Sequence, residues 1–223
     1  MWTQRPEYLT TEPKLIWELQ RRVAAGEGSL LEFKKKATYP EKIVQEMIAF
    51  ANTQGGELLL GVDDDGELVG VKYPDEDLHL LHDALQKFCK PKLDYQSTII
   101  SLSAKRFVVR FQIQQSEKRP HYFVADGHRM SFVRERDMCI KASREMCEII
   151  RRSKSEKGVR FTFGDSEKAL LDHLQQNEHI TLKEYKTMAG ISRHMASRKL
   201  VLLSLAKVIR ITPTEKGDLF SLA

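Results

Sequence analysis

The chain has 223 residues, 41% of them hydrophobic and 30% charged, with a formal net charge of +5. That length suits two small domains or one large one, and the apolar share is enough for a real core. No apolar run approaches the roughly 20 residues a membrane-spanning helix needs, and three scattered cysteines, Cys89, Cys139 and Cys147, exclude a disulfide framework and a Cys-x-x-Cys zinc knuckle.

The N-terminal stretch MWTQRPEYLTTEPK has no apolar signal segment, so a reducing, cytoplasmic setting with no membrane partner is expected. Charge is unevenly spread. Residues 1–150 carry 22 Lys/Arg and 23 Asp/Glu, a net of −1; residues 151–223 carry 14 and 8, a net of +6. A basic C-terminal module beside a near-neutral larger one points to a polyanion partner.

Leu15, Ile16, Leu19 and Val23 recur at helical spacing and predict a first helix over about 12–25, ended by Gly26. Leu30 to Phe33 reads as a short strand, followed by the basic run Lys34-Lys35-Lys36. Pro40 opens the next helix at its first turn, where a missing N–H costs nothing. Ile43, Val44, Met47, Ile48 and Phe50 make its apolar face, and Gly55-Gly56 stop it. Leu58 to Val62 is continuously apolar, as expected of a strand covered on both faces. Asp64-Asp65-Gly66 predicts a hairpin turn, with Leu68 to Val71 as the returning strand.

A helix is predicted over Asp75 to Lys90, with Leu78, Leu81, Leu85 and Phe88 in register and Pro91 closing it. Ile99–Leu102, Phe107–Ile113, Tyr122–Val124 and Met130–Val133 read as strands, and Lys141–Arg152 as a helix. Ser153 to Gly158 is polar and linker-like. Asp165 or Ser166 can then cap a helix carrying Leu170, Leu171 and Leu174. Thr181-Leu182-Lys183-Glu184 is a capping-box start, in which hydroxyl and carboxylate satisfy each other's backbone donors. Ser192 can cap a third helix with Ala196, Leu200 and Leu203 on one face. Val208–Ile211 and Leu219–Leu222 form a terminal hairpin.

Three helices and a hairpin, with a tight turn between the second and third helices, resemble a winged helix-turn-helix over residues 163–223. On its third helix Arg193, His194, Ser197 and Arg198 occupy the face left free by Ala196, Leu200 and Leu203. Arg pairs bidentately with guanine, and residues near the N-terminus of such a helix reach base edges. Lys199, Arg210 and Lys216 on the flank and wing would hold phosphates.

The larger part carries Leu31-Glu32-Phe33-Lys34, Asn52-Thr53-Gln54-Gly55-Gly56, and Gly61-Val62-Asp63-Asp64 with Gly70. Together these resemble the Schlafen AlbA-type domain. The expected fold is α+β: a Schlafen AlbA-type mixed sheet with flanking helices over 1–152, a linker at 153–162, and a small winged-helix domain at 163–223. Phe132-Val133-Arg134 is similar to the family's late strand, although Glu135 stands where a small pair is common.

The resemblance implies nucleic-acid binding. In some members it also implies a metal-dependent endoribonuclease with two glutamates five apart and an aspartate. Those positions match Glu27, Glu32 and Asp63 here, with Gly28 supplying the bend such a pair needs and Asp64 as the neighbouring acid. Mg²⁺ or Mn²⁺ is implied only on that reading; otherwise no cofactor is expected. The alternative is that these acids are turn or ion-pair residues. Lys34, Lys35 and Lys36 would neutralise phosphates, or else form a solvated edge. His79, His82 and Cys89 lack a further ligand for zinc, and Cys139 and Cys147 read as small buried hydrophobes. Gly-Val-Asp-Asp-Asp-Gly is no phosphate loop, since the Gly-Lys-Ser/Thr ending is missing.

The preferred reading is a DNA-binding transcriptional regulator, with RNA as the alternative target of the larger domain and a homodimer expected from paired half-sites. A metal-dependent nuclease and a non-catalytic interaction or dimerisation protein are the two alternatives.

Overall fold

Leu58, Leu59 and Leu60 are fully buried because strand β3 (Gly56–Leu60) lies inside a sheet covered on both faces. The computed structural model describes residues 7–9, 13–154 and 159–223. The chain divides into two units, residues 1–139 and 140–223.

In the first unit a five-stranded mixed sheet runs in the order β1 (Glu7–Leu9), β5 (Gln96–Ser103), β6 (Arg106–Ile113), β3, β2 (Leu31–Lys34). β1 is parallel to β5 and β2 to β3; β5 and β3 are both antiparallel to β6. Alternate side chains point to opposite faces. Leu58, Leu60, Val109, Phe111 and Ile113 therefore pack against helices α2 (Pro40–Asn52) and α3 (Pro74–Phe88). Phe33, Leu59 and Val108 face the other way, onto Leu19 and Val23 of α1 (Pro13–Val23). The predicted strand covered on both faces is thus observed.

Smaller sheets complete the unit: β4 (Cys89–Lys90) with β7 (Tyr122–Ala125) and β8 (His128–Met130), and β9 (Phe132–Glu135) with β10 (Met138–Lys141), within which the division falls. The single strand predicted over Met130–Val133 is two, broken at Ser131. The expected return strand Leu68–Val71 is reduced to isolated bridges, Val62 to Leu68 and Val71 to Phe107. Gly61 and Gly70, both at positive φ, keep that segment against β6: a Cβ on Gly61 would lie 2.9 Å from the Phe107 carbonyl oxygen.

The Asn-Thr-x-Gly-Gly signature has a packing explanation. Asn52 is buried at the end of α2, and its amide nitrogen donates to the carbonyls of His121 (3.1 Å) and Phe132 (2.9 Å). Its oxygen accepts from the His121 N–H at 2.7 Å. Gly56 must lack a side chain because a Cβ would meet the Phe50 ring at 2.3 Å.

The second unit holds α4 (Arg144–Arg152), α5 (Asp165–Gln176), α6 (Leu182–Met188), α7 (Arg193–Leu205) and the antiparallel hairpin β11 (Ile209–Thr212) with β12 (Leu219–Leu222). Leu170, Leu174, Tyr185, Leu200, Leu203 and Phe220 form its core. Thr181 and Glu184 make the predicted capping box, and Ser192 caps α7 by accepting from the Met195 N–H. At α5 neither Asp165 nor Ser166 is the cap: the N-cap is Gly164, whose N–H donates to Glu167 at 3.1 Å.

Helix α4 differs from expectation. The sequence places it in the larger domain, ahead of a linker at 153–162; in the structure it groups with the C-terminal unit and packs on α7. Its Glu145 is buried there and accepts from the Ser197 hydroxyl, so α4 lies along the α7 face opposite Ala196, Leu200 and Leu203. Residues 155–158 of the expected linker lie outside the described residues, as does most of the N-terminal stretch. No described helix is long and apolar enough to cross a membrane.

Candidate nucleic-acid interface

The acidic candidates lie around β2. Gly28 bridges to Leu31, folding the chain so that Glu27 returns over the strand and accepts the Phe33 N–H at 2.7 Å. Glu27 and Glu32 are thereby brought together. Burial raises the Glu27 pKa most; the Phe33 hydrogen bond opposes this, and the neighbouring Glu32 charge reinforces it.

Glu32 is only 5% exposed and is held by Lys34 on one oxygen and by Arg134 at 2.6 Å on the other. Arg134, its side chain fully buried, also pairs with Glu46 at 2.6 Å and donates to the Gly28 carbonyl at 3.1 and 3.0 Å. Its guanidinium lies 5.0 Å from the centre of the Phe50 ring. Burial, and then Glu32, push Glu46 up, while Arg134 and Lys34 pull it down.

Asp63 goes elsewhere. It pairs with Lys35 at 2.5 Å and accepts its neighbour's N–H, and these bonds lower its pKa. The three acids therefore do not fit a divalent ion. Both oxygens of Glu32 and both of Asp63 are engaged by protein donors. Among the described residues no group of three His, Cys, Asp or Glu is placed to hold a metal. The other suspected ligands also separate: His79 meets Asp83 at 3.4 Å, His82 meets the Tyr95 hydroxyl at 3.0 Å, and buried Cys89, its thiol pushed up to about 12 by desolvation, faces the Pro91 carbonyl. Of the basic run, Lys34 turns inward to Glu32, Lys35 to Asp63, and Lys36 is exposed.

In the second unit, α7 presents its first turns beside α4. Arg193, His194, Ser197 and Arg198 line a groove of about 630 Å³ together with Arg144 and Arg152 of α4. Arg193, His194 and Arg198 are exposed. Ser197 is half-buried and donates to the Glu145 carboxylate at 2.5 Å. Lys199 faces the other way and pairs with buried Glu167 of α5. Burial acts to raise the Glu167 pKa, but hydrogen bonds from Lys199, its own backbone N–H and Ser166 outweigh it, and the net shift is downward. Arg210 on β11 and Lys216 in the hairpin turn are exposed.

Sequence reasoning did not find Glu46 or the two α4 arginines. Glu46 lies six residues into α2 with no local partner; its role comes from Arg134, 88 residues away. Arg144 and Arg152 are eight apart on one helix, a two-turn spacing that could have marked them as a stripe.

The family model described as Schlafen, AlbA_2 matches residues 27–143, just over half of the chain. No curated protein matches. Among solved structures, the DIP2311 protein from Corynebacterium diphtheriae is similar at 15% identity and a TM-score of 0.46 over 93% of this chain. This chain spans 38% of that protein's length. The N-terminal domain of a RecG-related protein from Nitrosomonas europaea is similar at 21% identity and a TM-score of 0.43, covering 66% of this chain and 96% of that domain.

Proposed function

Because the chain belongs to the Schlafen AlbA_2 family, we propose that it is a nucleic-acid-binding protein, a DNA-binding transcriptional regulator whose C-terminal unit is a winged helix. One observation carries this reading. Arg193, His194 and Arg198 stand exposed at the head of α7, with no ion pair among the described residues, while the helix's apolar side is buried. Arg144 and Arg152 add two cations to the same groove. Arg193 and Arg198 would read base edges. Arg210 and Lys216 would hold phosphates. Lys199, already paired with Glu167, would support α7 rather than touch DNA. A homodimer would present two α7 helices to paired half-sites.

Binding without cleavage is the reading the acids support, since Glu32 is neutralised by Arg134 and Lys34. The test is retention of labelled duplex DNA and of structured RNA by the purified chain, with and without Mn²⁺. Salt-sensitive duplex retention, lost in Arg193→Ala/Arg198→Ala and unaccompanied by cleavage, is expected. Mn²⁺-dependent RNA cleavage abolished by Glu32→Ala would overturn it.

A further inference from the structure

A second basic surface lies in the first unit. The segment after β2, the stretch Val69–Lys72 and the first turn of α3 enclose an open groove of about 640 Å³. Lys36, Lys72 and Arg106 line it, all exposed and none in an ion pair among the described residues. Tyr73 lines it too and is 65% exposed. Tyr39 directly follows Thr38, another groove residue, and is also 65% exposed.

The two tyrosines occupy equivalent places. Each is the N-cap of a helix opened by proline, Tyr39 at α2 and Tyr73 at α3, with nearly the same backbone (φ −124°, ψ 76° and φ −125°, ψ 70°). Neither side chain caps its helix. The N-cap ordinarily selects Ser, Thr, Asp or Asn, whose oxygen accepts from the first turn. Helix capping therefore does not account for an aromatic at either position, and burial does not either. Lys42 sits over the Tyr39 ring at 5.4 Å.

We infer that this groove binds a single-stranded segment of nucleic acid, with phosphates on Lys36, Lys72 and Arg106 and successive bases stacked on Tyr73 and Tyr39. Exposed aromatics beside cations are the combination that holds unpaired bases, because every base has a π-face and every linkage a charge. A duplex offers no free base face to these rings. Two acids, Glu76 and Asp77, also line the groove. They lie in the first turn of α3, where the positive end of the helix offsets their charge. Burial, and then the Glu76 charge, raise the Asp77 pKa. Lys35 contributes less than its neighbours because Asp63 holds it.

The inference concerns the first unit alone and stands apart from the reading of α7. Its test is fluorescence anisotropy of the full chain with short oligothymidylate and oligouridylate. Binding should weaken about tenfold in Tyr73→Ala and further in Tyr39→Ala/Tyr73→Ala, and hold in Tyr73→Phe, which keeps the ring. Lys36→Glu/Lys72→Glu should weaken both oligonucleotides, and Arg193→Ala/Arg198→Ala should leave both unchanged. The tighter of the two homopolymers identifies DNA or RNA as the strand held. Absence of single-strand binding, indifference to both the tyrosine and the lysine variants, or loss in the α7 variant instead would overturn the inference. Duplex retention, read in parallel, reports separately on α7.

Discussion

Arg134 organises the first unit around a charge cluster that no single segment reveals. Its guanidinium joins Glu32 of β2, the carbonyl of Gly28 just before that strand, and Glu46 of α2, so two separate stretches of chain meet on one side chain. Removing one partner of a buried network leaves uncompensated charge, which costs more than the pairing gained. Arg134→Met should therefore destabilise the protein by about 3–5 kcal/mol, measured by urea unfolding, and Arg134→Lys should recover only part of it, since one ammonium cannot reproduce the fork. Glu27 tests the same cluster from its strained side. Its folded pKa is raised, so the folded state holds more protons than the unfolded one between the ordinary carboxylate value and the raised one. Stability from this group is therefore lost as pH rises through that window. Glu27→Gln, which can still accept the Phe33 N–H, should be the more stable protein at neutral pH and show a flatter pH dependence of the unfolding midpoint. The family resemblance pairs Glu27 with Glu32, and Gly28 supplies the bend that five-residue spacing needs; neither reveals Arg134 beneath them, because that contact spans about a hundred residues and follows no period.

At the scale of elements, the legible parts are those with a local cause. Proline at the first turn marks α2, the Thr181–Glu184 box marks α6, and the apolar run at β3 marks a strand buried twice over. The illegible parts depend on a partner. β1 is three residues that become a strand only by pairing with β5, and Leu68–Val71 fails as a strand because Gly61 and Gly70 hold it by single bridges. Helix α4 is the instructive case: its periodicity predicts a helix correctly but says nothing about which unit covers it. Ser143 caps α4 by accepting from the Met146 N–H at 2.9 Å, so Ser143→Ala should cost about 1 kcal/mol, seen as a lower melting temperature. The packing of α4 also sets Glu145 and Glu148 beside Arg193 and Arg198. Those acids would repel a phosphate backbone approaching α7. Glu145→Gln/Glu148→Gln keeps the bond from Ser197 while removing both charges, and should tighten duplex binding about two- to fivefold, read by titration at low salt. Weaker or unchanged binding would mean that DNA does not approach along this groove.

Across the whole molecule, net charge is a misleading guide to surface. Residues 140–223, with 16 Lys/Arg and 10 Asp/Glu, carry the excess of +6, and the near-neutral sum of −1 over residues 1–139, from 20 and 21, suggests an indifferent first unit. Yet a sum says nothing of placement: Glu32 and Glu46 are matched by Arg134 and Lys34, and Asp63 by Lys35, so these charges cancel locally. Lys36, Lys72 and Arg106 remain facing solvent without carboxylate partners among the described residues. Salt dependence separates the two surfaces, because each phosphate neutralised on a duplex releases counterions with a logarithmic slope of about 0.9, and on a single strand about 0.7. Arg210→Ala and Lys216→Ala, which would remove phosphate contacts, should each lower the duplex slope by about 0.9, and Arg193→Ala and Arg198→Ala, which would remove base contacts, should each lower it by less. Lys36→Ala and Lys72→Ala should each lower the single-strand slope by about 0.7 and leave the duplex slope alone. Slopes that fall together, whichever pair is removed, would mean one shared polyanion surface rather than two chemically distinct ones.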